Sequence, residues 1–280
     1  MNVLVTGATG FVGKHYMAYP YNGHTYTTID LRNTNWATAN YTNYDAVVHL
    51  AGKAHDMACI DEAKYFEINT ELTKQLYYKV KADGVKHFIY ISSTKVYGNG
   101  SYNYLNEQSP CNPTDAYGKS KLQAEQFLLA QQGIAVAIIR PPLVYGNGVK
   151  GNMEKLITLC NTKSWLPFGG IHNARSMVYV GNLVALINVI ITQKAAGIFV
   201  AGDGAAVSTT QLITTIAHHV HPKIKLITIP LILRSIIKIV KPNLYIRLFG
   251  SFNVDNAYTL NHLNHKPPFT FNQGIGLTVK

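Results

Sequence analysis

The stretch T-G-A-T-G-F-V-G, residues 6–13, follows a short apolar run at residues 3–5 and precedes a segment with helical spacing. It narrows the possible folds more than any other part of the chain. Gly7, Gly10 and Gly13 recur at every third position. Glycine there lets the chain turn tightly, lets backbone approach a pyrophosphate, and lets the helix pack close on the strand. The N–H groups opening the helix then offer themselves to an anion. A glycine triplet alone is weak evidence; between a strand and a helix it is the fingerprint of a dinucleotide-binding βαβ unit.

The rest of the first half keeps that alternation. Helical spacing is expected over residues 11–19, 62–82 and 116–131, and strands over 25–29, 46–50, 87–92 and 134–139. Several of these strands are apolar throughout (A-V-V-H-L, I-A-V-A-I-I), as in a parallel sheet buried on both faces. After Arg140 the rhythm changes. Pro141-Pro142 and the glycines at 146, 148 and 151 mark a long loop, and the later elements are shorter and mixed. Residues 1–145 are expected to form the sheet. Residues 146–280 are expected to form mainly a smaller lobe, with some segments returning to the core.

With 280 residues, 47% of them hydrophobic, the chain can bury a sizeable core. Lys and Arg outnumber Asp and Glu by 25 to 14, a formal +11, which suits anionic partners. No Lys/Arg-rich run and no zinc-ligand spacing is present, so neither nucleic acid nor a metal is expected. His55, His172, His218, His219 and His221 show no metal spacing and read as structural or solvated. Three scattered cysteines, Cys59, Cys111 and Cys160, form no disulfide framework and fit a reducing cytoplasm. The start M-N-V-L-V-T-G reads directly as a strand, with no signal peptide, and no apolar run reaches the ~18 residues of a membrane span.

An acid is expected about 20 residues beyond the glycine loop, at the end of the second strand. Asp30 stands there, in T-T-I-D-L-R, and can hydrogen-bond the adenosine ribose, which favours NAD. Arg32 keeps NADP open, because an Arg at this point can hold the extra phosphate. Beyond the strand at 87–92 comes I-S-S-T-K-V-Y-G, so Ser92, Ser93 and Thr94 should stand at the ligand crevice. In D-A-Y-G-K-S-K, Tyr117 and Lys121 are four apart and share a helix face. A fixed positive charge favours phenoxide and lowers a phenol pKa from about 10. Such a Tyr could pass a proton to or from a sugar hydroxyl.

Taken together, T-G-A-T-G-F-V-G, V-V-H-L-A-G, I-S-S-T-K-V-Y-G, Y-G-K-S-K and R-P-P-L-V-Y-G resemble the extended short-chain dehydrogenase/reductase family, in its nucleotide-sugar epimerase and dehydratase branch. The resemblance covers nearly the whole chain. It implies an α/β fold: a Rossmann-type doubly wound parallel sheet with a smaller, interleaved C-terminal substrate-binding lobe. It implies Tyr117 as acid/base, Lys121 gripping the nicotinamide ribose and lowering the Tyr pKa, and Ser93 binding the reacting oxygen. It implies a dinucleotide held by Gly7, Gly10, Phe11, Val12, Gly13, Asp30, Leu31 and Arg32. Leu50, Ala51 and Gly52 should line that cofactor, Asn69 should sit near its ring, and Pro141 and Leu143 should cover the nicotinamide. All three catalytic positions are present, which speaks against a cofactor-binding regulator without catalysis.

For the substrate, the resemblance implies Ser93, Thr94 and Tyr117 at the sugar, and Asn152 and Arg175 at the nucleotide diphosphate. Arg247, in Y-I-R-L-F-G-S, is a candidate of the same kind. The family look is nearest to bacterial surface-polysaccharide enzymes acting at C4 of UDP-N-acetylated sugars, so the expected partner is a UDP-sugar. Where 4,6-dehydratases carry Asp-Glu, this chain has Thr94-Lys95, so loss of water across C5 and C6 is not expected. Only 14 residues separate Asp30 from Asp45. So little chain to wrap the adenosine end favours cofactor exchange, and with it net reduction of a UDP-4-keto-6-deoxy-N-acetylhexosamine; 4-epimerisation is the alternative. A homodimer is left open. Finally, P-L-I-L-R-S-I-I-K-I-V-K puts Arg234, Lys238 and Lys241 on one helical face and Leu and Ile opposite. A basic amphipathic helix of this kind can lie on anionic lipid; packing against the substrate lobe is preferred.

Overall fold

The computed structural model describes residues 1–54, 61–99, 102–220 and 224–280. His55, Cys59 and His221 lie outside the described residues. The first half runs β1 (Asn2–Thr6), α1 (Phe11–Ala18), β2 (Thr25–Ile29), α2 (Asn35–Thr38), β3 (Ala46–His49), α3 (Ala63–Phe66), a π-helical segment (Glu67–Glu71), α4 (Leu72–Ala82), β4 (His87–Ile91), a 3-10 turn (Thr94–Tyr97), β5 (Tyr102–Leu105), α5 (Ala116–Leu129) and β6 (Ala135–Arg140). The second half runs β7 (Leu143–Tyr145), α6 (Asn152–Thr162), β8 (Trp165–Gly169), β9 (Met177–Tyr179), α7 (Val180–Gln193), β10 (Gly197–Val200), α8 (Thr209–Val220), β11 (Lys225–Thr228), α9 (Leu231–Val240), α10 (Pro242–Phe249), β12 (Phe252–Val254), α11 (Ala257–His262) and α12 (Phe271–Thr278).

Six parallel strands form the central sheet in the order β10-β6-β4-β3-β1-β2. Val3 of β1 faces Tyr26 on one side and Ala46 on the other. The chain goes outward from β1 to β2, then returns to lay β3 on the opposite side. The order therefore reverses between β1 and β3, and the crevice beyond their C-terminal ends is where open α/β sheets bind ligands.

Alternate residues along each strand serve opposite faces, which is why the strands are apolar throughout. Val3, Val5, Val48, Ile89 and Ile139 pack with Tyr16 of α1 and with Leu183, Ile187 and Ile190 of α7. Leu4, Val47, Phe88, Tyr90 and Ile138 pack on the other face with Leu76 and Val80 of α4 and Ala124 and Leu128 of α5. Each such side chain contributes about 1.5–3 kcal/mol of burial. A third apolar cluster joins α6, α8, α12 and β9 through Met153, Cys160, Ile213, Ile216, Ile275 and Met177. It sits beside three short parallel pairs, β8 with β11, β7 with β9, and β5 with β12. Although they follow residue 145, α7 and β10 belong to the main sheet and its cover.

Element ends differ by one or two residues from those read in the sequence, the ordinary uncertainty of helix and strand boundaries. The larger correction concerns residues 62–82. Periodicity predicts one α-helix, but Glu67–Glu71 is wound as a π-helix between α3 and α4. Asn69 within it is fully buried, in step with Tyr65 and Thr73 on the same helix face.

Candidate active site

The glycine loop is built to be approached. Gly7 has φ +71°, in the region that favours glycine, and a Cβ there would overlap the backbone of Leu50 and Ala51. At Gly13 a Cβ would overlap the Gly7 carbonyl and meet Ala8 Cα at 2.7 Å, so α1 starts hard against the loop. Gly10 N–H donates to the Gly7 carbonyl at 3.0 Å. The side chains of Phe11 and Val12 are drawn into the apolar clusters. Leu31 is part-buried against the second cluster.

Asp30 ends β2 with its carboxylate exposed. Arg32 grips it, with Nε at 2.9 Å and Nη2 at 2.6 Å, and those hydrogen bonds hold the carboxyl down to about 2. The acid and the arginine that argue for different cofactors thus form one exposed ion pair.

The segment after β3 comes across from the loop to α5. Leu50 N–H donates to the Thr6 carbonyl at 3.2 Å, and Ala51 N–H to Thr6 Oγ1 at 3.1 Å. A Cβ on Gly52 would lie 2.9 Å from Asn69 Oδ1 and 3.2 Å from Lys121 Nζ. Asn69 Oδ1 accepts from Lys53 N–H at 2.8 Å, while its Nδ2 donates to Ser120 Oγ at 3.0 Å. The Asn69 carbonyl accepts from Thr73 Oγ1 and Tyr90 Oη. Asn69 thus ties the segment after β3 to α5.

At the end of β4, Ser92 is buried, its hydroxyl without a partner among the described residues, while Ser93 caps the 3-10 turn by accepting from Lys95 N–H at 3.2 Å. Thr94 is buried, and its N–H donates to the carbonyl of Pro141, itself buried. Leu143, opening β7, is 50% exposed. Asp115 caps α5 by accepting from Gly118 N–H at 2.7 Å, which sets Tyr117 and Lys121 in the first turns of the helix. The Tyr117 ring meets Tyr65 edge-on at 5.9 Å.

Tyr117 hydrogen-bonds Ser93, but the electrostatics differ from the expectation. Burial pushes the Tyr117 phenol up to about 12, and the Ser93 hydroxyl, not Lys121, pulls it back. Lys121 is almost fully buried and donates from Nζ to the Ile91 carbonyl at 2.9 Å, with Nζ 4.6 Å from the Tyr90 ring centre. Desolvation lowers its ammonium to about 8, against the opposing pull of Glu125. Sharing a helix face is therefore not enough to tune the phenol, because the lysine is turned to the end of β4.

Among the substrate candidates, Arg175 and Arg247 come together. Arg175 Nη1 donates to the carbonyls of Ile246, Arg247 and Gly250, closing the C-terminal end of α10. Burial and Arg247 both lower its guanidinium. Asn152 is exposed at the first position of α6, its side chain making no hydrogen bond among the described residues.

Two features escaped the sequence reading. Lys95, noted there only as a departure from dehydratases, joins the two arginines: burial lowers its ammonium, Asp115 at 3.7 Å raises it, and Arg175 and Arg247 lower it further. Three cations from three separate segments thus feel one another. Secondly, His49 is buried between Thr6 Oγ1 at 2.7 Å and Thr73 Oγ1 at 2.9 Å, and desolvation holds it neutral, down to about 3. Its signal was the lone His inside an apolar strand, V-V-H-L.

Comparison with known proteins follows the same lines. A family model described as the NAD dependent epimerase/dehydratase family matches residues 3–202. A UDP-glucose 4-epimerase of Vibrio cholerae is 33% identical, covering 100% of this chain and 94% of that protein. The N-acetyl-alpha-D-glucosaminyl-diphospho-ditrans,octacis-undecaprenol 4-epimerase of Escherichia coli O157:H7 is 30% identical over 82% of this chain and 75% of its own length. Among solved structures, RMD from Pseudomonas aeruginosa complexed with NADPH superposes with a TM-score of 0.81 at 24% identity, covering 100% of this chain and 98% of that one.

Proposed function

Because the chain belongs to the NAD-dependent epimerase/dehydratase family, we propose that it is a UDP-sugar 4-epimerase. The observation that carries this is the Ser93–Tyr117 hydrogen bond at the end of β4, with Lys121 beneath and no Asp-Glu pair beside it. The full-length likeness to the Vibrio cholerae 4-epimerase outweighs the argument from chain length that favoured net reduction.

The residues fit a dinucleotide: the cradle at Gly7 and Gly13 has no room for a Cβ, and the N-terminus of α1 opens beside it. NAD, when bound, supplies reversible hydride transfer at C4. The protein's own part is the proton. Tyr117, as the phenoxide, takes it from the C4 hydroxyl and as the phenol later returns it; burial raises its pKa to about 12, and the hydrogen bond with Ser93 lowers it, favouring the phenoxide that the step needs. Lys121 fixes the end of β4 and presents a buried charge below the ring site. Asn69 and Gly52 shape the wall over Lys121. Lys95, Arg175 and Arg247 supply positive charge for the diphosphate, where a guanidinium fork suits phosphate geometry. Residues 146–280 contribute most of this lobe. The Escherichia coli relative carries a lipid diphosphate in its name, and the same cations would serve that group equally.

Net 4-keto reduction is the second reading, favoured by the short adenosine side, where only α2 lies between Asp30 and Asp45. The test offers purified protein UDP-GlcNAc and UDP-glucose with no added cofactor. Interconversion with the C4 epimer supports the proposal. No interconversion, with stoichiometric oxidation of NADH or NADPH on a UDP-4-keto-6-deoxy sugar, would establish the reductase instead.

A further inference from the structure

The helix α9 leaves its aliphatic stripe uncovered. Ile232 is 78% exposed, Ile239 80%, Val240 67%, Ile236 50% and Leu233 47%. At 100° per residue these five side chains fall within an arc of about 120°. Among the described residues on the other side of the helix, only Arg234 and Ile237 are part-buried, while Lys238 and Lys241 stay exposed. Arg234 donates from Nε to the Ile229 carbonyl at 3.1 Å and from Nη2 to the Gly170 carbonyl at 3.0 Å, its guanidinium 5.3 Å from the Phe249 ring centre. Lys238 Nζ lies 5.8 Å from the Tyr245 ring centre on α10. A surface helix ordinarily buries its apolar stripe. Here Arg234 makes the polar contacts with the body of the protein, and a continuous aliphatic strip is left outside. Leu244 and Ile246 of α10 are exposed as well. Patches of this kind mark an interaction surface.

Charge says what kind of surface. From Asp203 to Asp255 no acidic residue intervenes, while Lys223, Lys225, Arg234, Lys238, Lys241 and Arg247 all fall in the interval. A two-fold contact with a second copy would set Lys238 and Lys241 of both copies together, with no carboxylate in the segment to offset them. An anionic bilayer accepts both parts: the aliphatic strip enters the boundary of headgroups and acyl chains, and the exposed lysines of the opposite arc, on long flexible stems, meet the surrounding lipid phosphates. Among the described residues no helix is long and apolar enough to cross a membrane, so α9 would lie on the surface. We infer that α9 docks this protein on an anionic lipid bilayer, whatever the identity of its sugar.

Sedimentation with sucrose-loaded vesicles tests this on the full chain. The wild type should pellet with vesicles rich in phosphatidylglycerol, much less with phosphatidylcholine alone, and less again in high salt. Ile236→Asp with Ile239→Asp should weaken binding by about 100-fold or more, from the lost apolar burial. Lys238→Ala with Lys241→Ala should weaken it by about 30-fold. Both pairs are exposed and outside the site, so turnover of a soluble UDP-sugar should be unchanged. Wild-type protein that stays in the supernatant with anionic vesicles overturns the inference, as does pelleting of both double variants to the same extent as the wild type. So does a wild-type dimer in light scattering that Ile236→Asp with Ile239→Asp converts to monomer, since the strip would then be a subunit contact.

Discussion

Replacing Lys121 by methionine should abolish turnover yet make the protein more stable at neutral pH. The side chain is 5% exposed, and burial lowers its ammonium from 10.5 to about 8. At 1.36 kcal/mol per pKa unit, the folded state carries about 3 kcal/mol of penalty while Lys121 is charged. Methionine keeps the linear shape and removes the charge, but leaves the Ile91 carbonyl without its donor, at about 1–2 kcal/mol. The net gain is about 1–2 kcal/mol, or roughly 2–4 °C in Tm for a chain of this size. The pH dependence separates this cause from any packing effect. The folded pKa lies below the unfolded one, so between about 8 and 10.5 the folded chain holds fewer protons and wild-type stability rises with pH. The penalty is fully present below about 8 and relieved toward 10.5. The advantage of the variant should therefore shrink above about pH 8 and reverse near pH 10, where the neutral amine still donates to Ile91. Differential scanning calorimetry of both proteins across this range is the assay. A variant less stable at neutral pH, or a difference that does not move with pH, refutes the reasoning.

Other perturbations probe the remaining parts of the site. Tyr117→Phe keeps the ring against Tyr65 but removes the transferable proton; kcat should fall by about 10²–10⁴-fold with Tm unchanged, and near-normal turnover would remove Tyr117 from its role. Lys95→Ala should weaken binding of free UDP by about tenfold in calorimetry, since a charged contact to phosphate is lost; unchanged affinity would place the diphosphate elsewhere. Arg175→Ala should weaken UDP binding and also loosen α10, whose C-terminal carbonyls it holds, seen as faster amide exchange over residues 242–250. Arg32→Ala frees the Asp30 carboxylate from its partner, so NADPH binding should fall relative to NADH when both are titrated; a gain in NADPH affinity would reverse the cofactor assignment.

Much of the site was legible because its signals are local. The glycine spacing behind β1, Asp30 at the end of β2, the small hydroxyls after β4 and the four-residue step from Tyr117 to Lys121 each depend on a few consecutive residues. The strand–helix pattern around them dictates the parallel sheet, since residues apolar on both sides of a strand need cover on both faces. What spacing cannot carry is the environment that distant segments create. Tyr117 and Lys121 share a face in any helix, but only burial beneath β4 decides that Ser93, rather than Lys121, acts on the phenol. Asn69 shares a helical stripe with Tyr65 and Thr73, but only the fold brings its amide to Lys53 and Ser120. Lys95, Arg175 and Arg247 lie far apart in sequence and become one cationic group only when the turn after β4, the approach to β9 and α10 converge. The helix α9 draws the line most sharply. Its sequence determines that one arc is aliphatic and the other basic, because period alone sorts the side chains. Which arc turns outward was decided by the tertiary structure, where the carbonyls of Ile229 and Gly170 gave Arg234 its partners on the inner side.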